Sequence, residues 1–351
     1  MPAKPPHLHL PVREDWLAPH QEEILEPALP IIDPHHHLWE RPGNRYLLDE
    51  FRHDAADRHD IRATVFVTCR AMFRADGPEA MQPLGETEFV NGIAAQSASG
   101  LYGTLRACQG IVGHADLTLG DAVAPVLEAQ LRIAGGRFRG IRNNTAWHPD
   151  PDIQTNPIRP PPGLLREARF RAGVARLSDY GLSLDIWAYH TQLPEVIDLA
   201  RAFPDQPMVL DHIGGPIGIG RFAARRAEVF AEWRQAIRDL ARLPNVTVKL
   251  GGLAMELGGF GFHQAATPPT SAMLAEAWRP YIETCIESFG ADRAMVREQL
   301  PSRQGHVRLR GAMECLQAAR RRRHHHGEAG AVQRHRRAGL SPAAAVLTAA
   351  P

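Results

Sequence analysis

Ile31-Ile32-Asp33-Pro34-His35-His36-His37-Leu38-Trp39 is a short β-branched apolar start that runs straight into an imidazole-rich end. In extended chain, alternate side chains share a face, so His35 and His37 point one way and His36 the other. Two imidazoles on one side of a strand end can bind a divalent metal, or serve as general acid, base or carbonyl polariser. A surface histidine cluster is the competing explanation. The internal position directly behind Ile31-Ile32 favours a functional strand end.

Outward from this segment the chain alternates β-branched runs with amphipathic stretches, the pattern of βα units on a parallel sheet. Strands are expected at Ile31–Asp33, Ala63–Thr68, Gly110–His114, Phe138–Arg142, Ser183–Ala188, Met208–Asp211 and Thr247–Leu250. Helices are expected at Glu86–Ser99, Gly120–Ala134, Leu164–Tyr180, Leu193–Phe203, Phe222–Leu243 and Ser271–Phe289. Seven strand–helix units is one short of the eight that close a (β/α)8 barrel. An open doubly wound sheet is the alternative, but no glycine-rich phosphate fingerprint follows the first strand.

In such a barrel the chemistry sits where strands end. The fifth strand ends in Trp187-Ala188-Tyr189-His190 and the sixth in Leu210-Asp211-His212-Ile213-Gly214-Gly215. A lone histidine after a strand is usually structural. Two consecutive units ending in histidine, in a chain whose first strand supplies two more, point to His35, His37, His190 and His212 sharing one site. Asp211 either accepts from an imidazole or caps the segment that follows. Arg142 and Arg139 are candidates to bind a substrate carboxylate bidentately, with rim salt bridges as the alternative. Lys249, one of two lysines in the chain, either binds an anionic substrate or snorkels from the core. Tyr189 is a further substrate-binding candidate, and Gly258–His263 has the glycines and aromatics of a mobile lid or an ordered turn.

The chain has 351 residues, 44% hydrophobic and 23% charged, enough to bury a sizeable core. No apolar run approaches the roughly 18 residues that cross a membrane, and Met1 to Pro30 lacks the apolar region of a secretory signal. Cys69, Cys108, Cys285 and Cys315 are too scattered for a disulfide scaffold or zinc ribbon, so a reducing cytoplasm is expected. The net charge of +1 hides an asymmetry: Val296 to Pro351 holds 11 Arg, no Lys and 3 Glu, and no Phe, Trp, Tyr, Ile, Asp or Asn. A basic tail of this kind can bind nucleic acid, but it can bury little surface to offset its ordering entropy. His324-His325-His326 lies within it and is assigned no catalytic role.

The Asp33–Trp39 opening, the strand ending at His190 and Val209-Leu210-Asp211-His212-Ile213-Gly214-Gly215-Pro216 resemble the amidohydrolase superfamily. The chain is similar to its amidohydrolase-related branch, which contains 2-pyrone-4,6-dicarboxylate lactonase and sugar lactonases. The resemblance covers about Pro30 to Met295. It implies a TIM barrel with its site at the strand C-termini, and hydrolysis of a small, anionic lactone by water addition at the carbonyl. His35 and His37 match the first-strand pair, His190 the fifth-strand histidine and His212 the sixth-strand one. One divalent metal, Zn or Mn, on His35, His37 and His190 is implied, or metal-independent polarisation of the carbonyl by the histidines. No lysine stands at the fourth strand end to bridge a binuclear centre. A decarboxylase of the same superfamily is the alternative activity. A small-molecule substrate, with neither nucleic acid nor membrane as partner, follows; nothing in the sequence sets the oligomeric state.

The departure comes at strand eight. After Phe289–Met295 the family continues with an apolar strand ending in a Ser-Asn-Phe-Pro-like or Ser-Asp-Trp-Pro-like motif, whereas this chain reads Val296-Arg297-Glu298-Gln299-Leu300-Pro301-Ser302-Arg303-Gln304. One coding of those residues, read one nucleotide later, gives Phe-Glu-Ser-Asn-Phe-Pro-Val-Asp-Lys. In the same shift Met313 followed by Glu314 must yield Trp whatever codon Glu uses. The reading is an N-terminal arm over 1–30, a barrel over 31–295 and an out-of-frame basic tail over 296–351, with the eighth strand and helix missing or aberrant. A catalytically inactive product is therefore a third functional reading. The restored strand would carry Asn where many hydrolases of this family carry the catalytic Asp.

Overall fold

The structure, a computed structural model, describes residues 14–17, 22, 27–42, 44–55, 59–153 and 158–296. The tail beyond Val296, its histidine run and most of the 1–30 arm lie outside them.

Eight parallel strands follow one another around a nearly closed barrel: β1 (Pro30–His36), β2 (Asp60–Val67), β3 (Arg106–Gly113), β4 (Phe138–Asn144), β5 (Ser183–Trp187), β6 (Met208–Leu210), β7 (Val246–Leu250) and β8 (Ala294–Val296). The outer layer is α1 (Leu48–Ala55), α2 (Leu84–Ala98), α3 (Ala124–Ile133), α4 (Ala168–Asp179), α5 (Leu193–Ala202), α6 (Arg226–Ala241) and α7 (Ser271–Phe289). All seven expected strands and six expected helices are present, Ser271–Phe289 with the expected bounds and the others with one or both ends shifted. The eighth strand is aberrant, as expected: among the described residues it is three residues long, with Ala294, Met295 and Val296 opposite Val248, Lys249 and Leu250. Among the described residues no ladder joins β8 to β1, so the seam stays unsealed. A short antiparallel ribbon, Trp39–Arg41 with Asn44–Tyr46, and α1 were not legible in the apolar pattern.

Strand alternation sorts the side chains. Leu184, Ile186, Leu210, Val246, Val248 and Leu250 are buried against the helices. Their neighbours face the lumen, where the register sets Arg142 beside Asp185, Asp185 beside Val209 and Val209 beside Thr247. A second apolar cluster, including Ile153, Trp187, Tyr189, Ile217 and Phe222, is gathered from residues at and beyond the C-terminal ends of β4, β5 and β6.

Candidate active site

Five charged or imidazole groups meet inside the barrel near its C-terminal rim. Lys249 Nζ lies 2.5 Å from Asp185 Oδ2, 3.2 Å from Asp211 Oδ1 and 3.3 Å from His35 Nδ1. Arg142 Nη1 is 3.4 Å from Asp211 Oδ2 and 3.3 Å from His35 Nε2, while its Nη2 donates to Thr68 O. Most of these contacts join strands that share no ladder, so they cross the lumen. Two carboxylates against one ammonium and one guanidinium balance in charge, which is how buried ions are tolerated. Burial pushes the Asp185 carboxyl above its ordinary range, and Lys249 pulls it back.

His35 and His37 share a face, as their spacing requires, with Nε2 atoms 3.2 Å apart. His37 Nδ1 donates to Val67 O at 2.7 Å, so its Nε2 carries the lone pair that faces His35. The middle member, His36, turns outward to Thr64 Oγ1 at 2.8 Å and to Phe51. His212 completes the imidazole group, its ring 5.3 Å from His35 and 4.4 Å from Trp187.

A strained turn aims His212. Strand β6 stops at Leu210, one residue earlier than expected, and Asp211–Gly214 folds tightly with His212 at φ 53° and Ile213 at φ 50°. Positive φ at a β-branched residue is a genuine outlier, of the kind that clusters at functional sites and needs surrounding structure to hold it. Trp233 Nε1 donates to Ile213 O at 2.7 Å, and Gly215 N donates to His212 O at 3.0 Å. Gly252, at φ 81°, leaves room for the ring: a Cβ there would stand 2.4 Å from His212 Nδ1.

His190 shares the rim but has different neighbours. Its backbone N–H donates to Gly215 O at 3.1 Å and its Nδ1 accepts from Ile217 N at 3.2 Å, which places the ring proton on Nε2. That Nε2–H is buried with no hydrogen-bond partner among the described residues, and Phe222 lies 5.4 Å away ring to ring. Burial brings the imidazole down to about 4, so it is neutral at pH 7. Tyr189 is fully buried beside Trp187, with its hydroxyl 3.5 Å from Ile153 O.

Geometry removes Arg139 from the rim and gives Lys249 its partners. Arg139 stands three residues from Arg142, which puts it on the opposite face of β4. Its Nη1 folds back to Gly136 O at 2.7 Å and Phe138 O at 3.0 Å, at the start of the strand and away from the rim. Lys249 neither snorkels nor reaches outward; its side chain is 3% exposed and engaged with Asp185, Asp211 and His35. Asp211, left undecided between imidazole partner and cap, meets Lys249, Arg142 and His35. Asp185 escaped notice in the sequence, although its alternation with Leu184 and Ile186 already sets it on the lumen face.

His35, Asp211 and His212 each offer a ligand atom, all within 4.8 Å of one another. Imidazole nitrogens with a carboxylate oxygen form a donor set that suits a borderline divalent cation such as zinc. This set differs from the His35, His37 and His190 triad implied by the resemblance, because His190 turns toward Ile217 and Phe222.

Comparison with known proteins agrees with this architecture. The chain is 30% identical over 293 residues to an uncharacterized protein of Sinorhizobium fredii, covering 77% of this chain and 84% of that one. It is 29% identical over 235 residues to an L-fucono-1,5-lactonase of Burkholderia multivorans, covering 64% of this chain and 69% of the lactonase. A crystal structure of an amidohydrolase from Burkholderia multivorans with bound zinc shares the fold, with a TM-score of 0.63 at 23% identity over 83% of this chain and 92% of that one. No helix among the described residues is long and apolar enough to cross a membrane. Residues 32–295, from the first strand to the eighth and across every histidine of the rim, match the amidohydrolase family model, and the chain belongs to that family as an amidohydrolase-related hydrolase.

Proposed function

We propose that this hydrolase opens a small lactone that carries a carboxylate. The observation that carries the reading is Arg142: its side chain is 15% exposed, whereas the Asp211, Asp185 and Lys249 side chains in the same cluster are 0–3% exposed. The one cation of the group that reaches solvent stands beside His35, where it can take a substrate carboxylate through charge-assisted hydrogen bonds. That orientation sets the lactone carbonyl against the His35, His37 and His212 imidazoles. Water adds to the carbonyl carbon and gives its proton to the imidazole group. The tetrahedral intermediate then collapses with cleavage of the ring C–O bond, the leaving alkoxide takes a proton, and a ring-opened acid results. The neutral His190 Nε2–H is a further donor for substrate oxygen. A divalent cation, when bound, would be held by His35, His212 and Asp211 and would supply Lewis-acid polarisation of the carbonyl.

The same reading assigns residues 31–295 to the barrel, residues 1–30 to an arm and residues 296–351 to an out-of-frame tail. Support comes from the composition break after Met295.

A pH-indicator assay over a panel of neutral and carboxylated lactones tests the activity. Ring opening of carboxylated members is expected, and Arg142→Ala should raise their KM by about tenfold or more while leaving neutral lactones little changed. Release of carbon dioxide from aromatic acids, without lactone opening, would identify a decarboxylase and overturn the reading.

A further inference from the structure

We propose that Glu86 is a positioning residue for Arg142, acting through the loop that joins β2 to α2. The inference rests on the reading of Arg142 as the group that takes the substrate carboxylate.

Glu86, the third residue of α2, is 1% exposed and its carboxylate takes three donors from this loop. Oε2 accepts from the Thr68 hydroxyl, and Oε1 accepts from Cys69 N at 3.0 Å and Ala71 N at 2.9 Å. Arg70 and Met72 both hold positive φ, 63° and 55°, a conformation that side chains other than glycine adopt only when their surroundings impose it. The helix presses directly on the loop as well: a Cβ at Gly85 would stand 2.3 Å from Met72 O.

Thr68 is where this clamp meets the site. Its N–H donates to Val112 O at 2.8 Å, its hydroxyl donates to Glu86, and its carbonyl accepts from Arg142 Nη2. Every polar group of Thr68 is thus committed, and the carbonyl sits where Glu86 puts it. Arg142 has two oxygen acceptors, Thr68 O and Asp211 Oδ2, and its Nη1 lies 3.3 Å from His35 Nε2. Asp211 and His35 lie on the inner side of the guanidinium; Thr68 O is the contact from the loop side. Loss of it frees the guanidinium to turn about its remaining partners, and small displacements of a carboxylate clamp are amplified in substrate affinity. Burial pushes the Glu86 carboxyl up, against the pull of its three donors and of Arg142.

The test uses the full chain with Glu86→Gln, Glu86→Ala and Thr68→Val. Gln keeps an oxygen for Cys69 N and Ala71 N, and its amide donates to the Thr68 hydroxyl, so the hydrogen bonds survive without the charge. Ala removes all three. Valine at 68 keeps the carbonyl and removes only the hydroxyl tie. KM is measured for 5-oxotetrahydrofuran-2-carboxylate and for neutral γ-butyrolactone. The ratio of the two should rise about tenfold in Glu86→Ala, less in Thr68→Val, and stay within about twofold of the parent in Glu86→Gln. The second readout needs no substrate: the Nε–H resonance of Arg142, assigned by its loss in Arg142→Lys, should be slow to exchange in the parent and in Glu86→Gln and exchange-broadened in Glu86→Ala. If Glu86→Ala melts lower but keeps both the KM ratio and the Arg142 resonance, Glu86 merely holds the loop and the proposal fails. If neither lactone is opened, the functional reading fails, and the resonance alone still decides the role of Glu86. Should Glu86→Ala not fold, an unchanged resonance in Thr68→Val overturns the proposal.

Discussion

Lys249 Nζ stands 2.5 Å from Asp185 Oδ2 inside the barrel, joining β7 to β5 across a strand that lies between them. The same ammonium reaches Asp211 and His35, so with Arg142 on Asp211 two cations balance two buried carboxylates, and Lys249 fixes the imidazole at the head of the site. Lys249→Met leaves both carboxylates short of their cation. Breaking a buried pair from one side costs about 3–5 kcal/mol, and urea unfolding should show a loss of that order. Lys249→Met combined with Asp185→Leu should recover part of it, with Arg142 the cation that remains on Asp211. A single variant within about 1 kcal/mol of the parent would mean that the pair contributes little.

Gly252 faces His212 so closely that a methyl group cannot fit without moving the ring or the turn. Gly252→Ala also places a side chain at φ 81°, where only glycine is at ease. Displacing an imidazole by about 1 Å at a reacting centre costs on the order of a hundredfold in rate. Lactone opening by Gly252→Ala should fall by that order while the chain still melts cooperatively. Gly77→Ala is the control: it shares a positive φ, 90°, but its Cβ would meet open space, so only a modest loss of stability is expected. Equal activity in the two variants would show that the position of His212 does not matter.

Two histidines, the buried His36 and the part-buried His114, set the acid limit of the fold. Burial holds His36 down at about 3 and His114 at about 4, against an ordinary value of 6.5. Between those values the unfolded chain binds protons that the folded chain refuses. Stability therefore rises with pH through this window and is lost as pH falls from about 6.5 toward 4. Urea midpoints at about pH 7 and about pH 4.5 should differ clearly, and His114→Asn, which keeps a donor for Arg142 O, should reduce the slope. Flat stability over that range would mean that both rings protonate without cost.

The fold and the histidines were legible for one reason: each strand announces itself by a β-branched run and ends in a polar side chain that period-two alternation can orient. Alternation places His35 with His37 and turns His36 outward, as the structure has it. The same rule, applied to Arg139 and Arg142, separates them by an odd interval and removes Arg139 from the rim. What stayed hidden depends on partners far away in sequence. Lys249 looks like a substrate ligand until Asp185 and Asp211 appear beside it. Glu86 looks like an ordinary first-turn carboxylate until the loop folds over it. The turn at His212 and Ile213 needs positive φ at two residues that disfavour it, so no local propensity could announce it.

The seam of the barrel gives the last prediction. Strand β8 pairs with Val248–Leu250 on one side, and among the described residues its other edge has no ladder with β1. Closure is what removes the two unpaired edges of a barrel. In the sequence, Arg297, Glu298 and Gln299 follow where an apolar strand would continue toward Pro30–His36, the strand that carries His35. Edge groups buried from water without partners cost about 1–3 kcal/mol each, and two or three such losses rival a typical net stability of about 5–15 kcal/mol. On the out-of-frame reading, deleting one nucleotide after the Met295 codon replaces the basic tail by a segment with β-propensity. That version should be more soluble, melt at a higher temperature and with greater cooperativity, and open lactones faster than the chain as it stands. Side-by-side expression, calorimetry and the lactone assay measure all three. Equal solubility, equal cooperativity and equal turnover would show that residues 296–351 are in frame and that the basic tail is a working part of the protein.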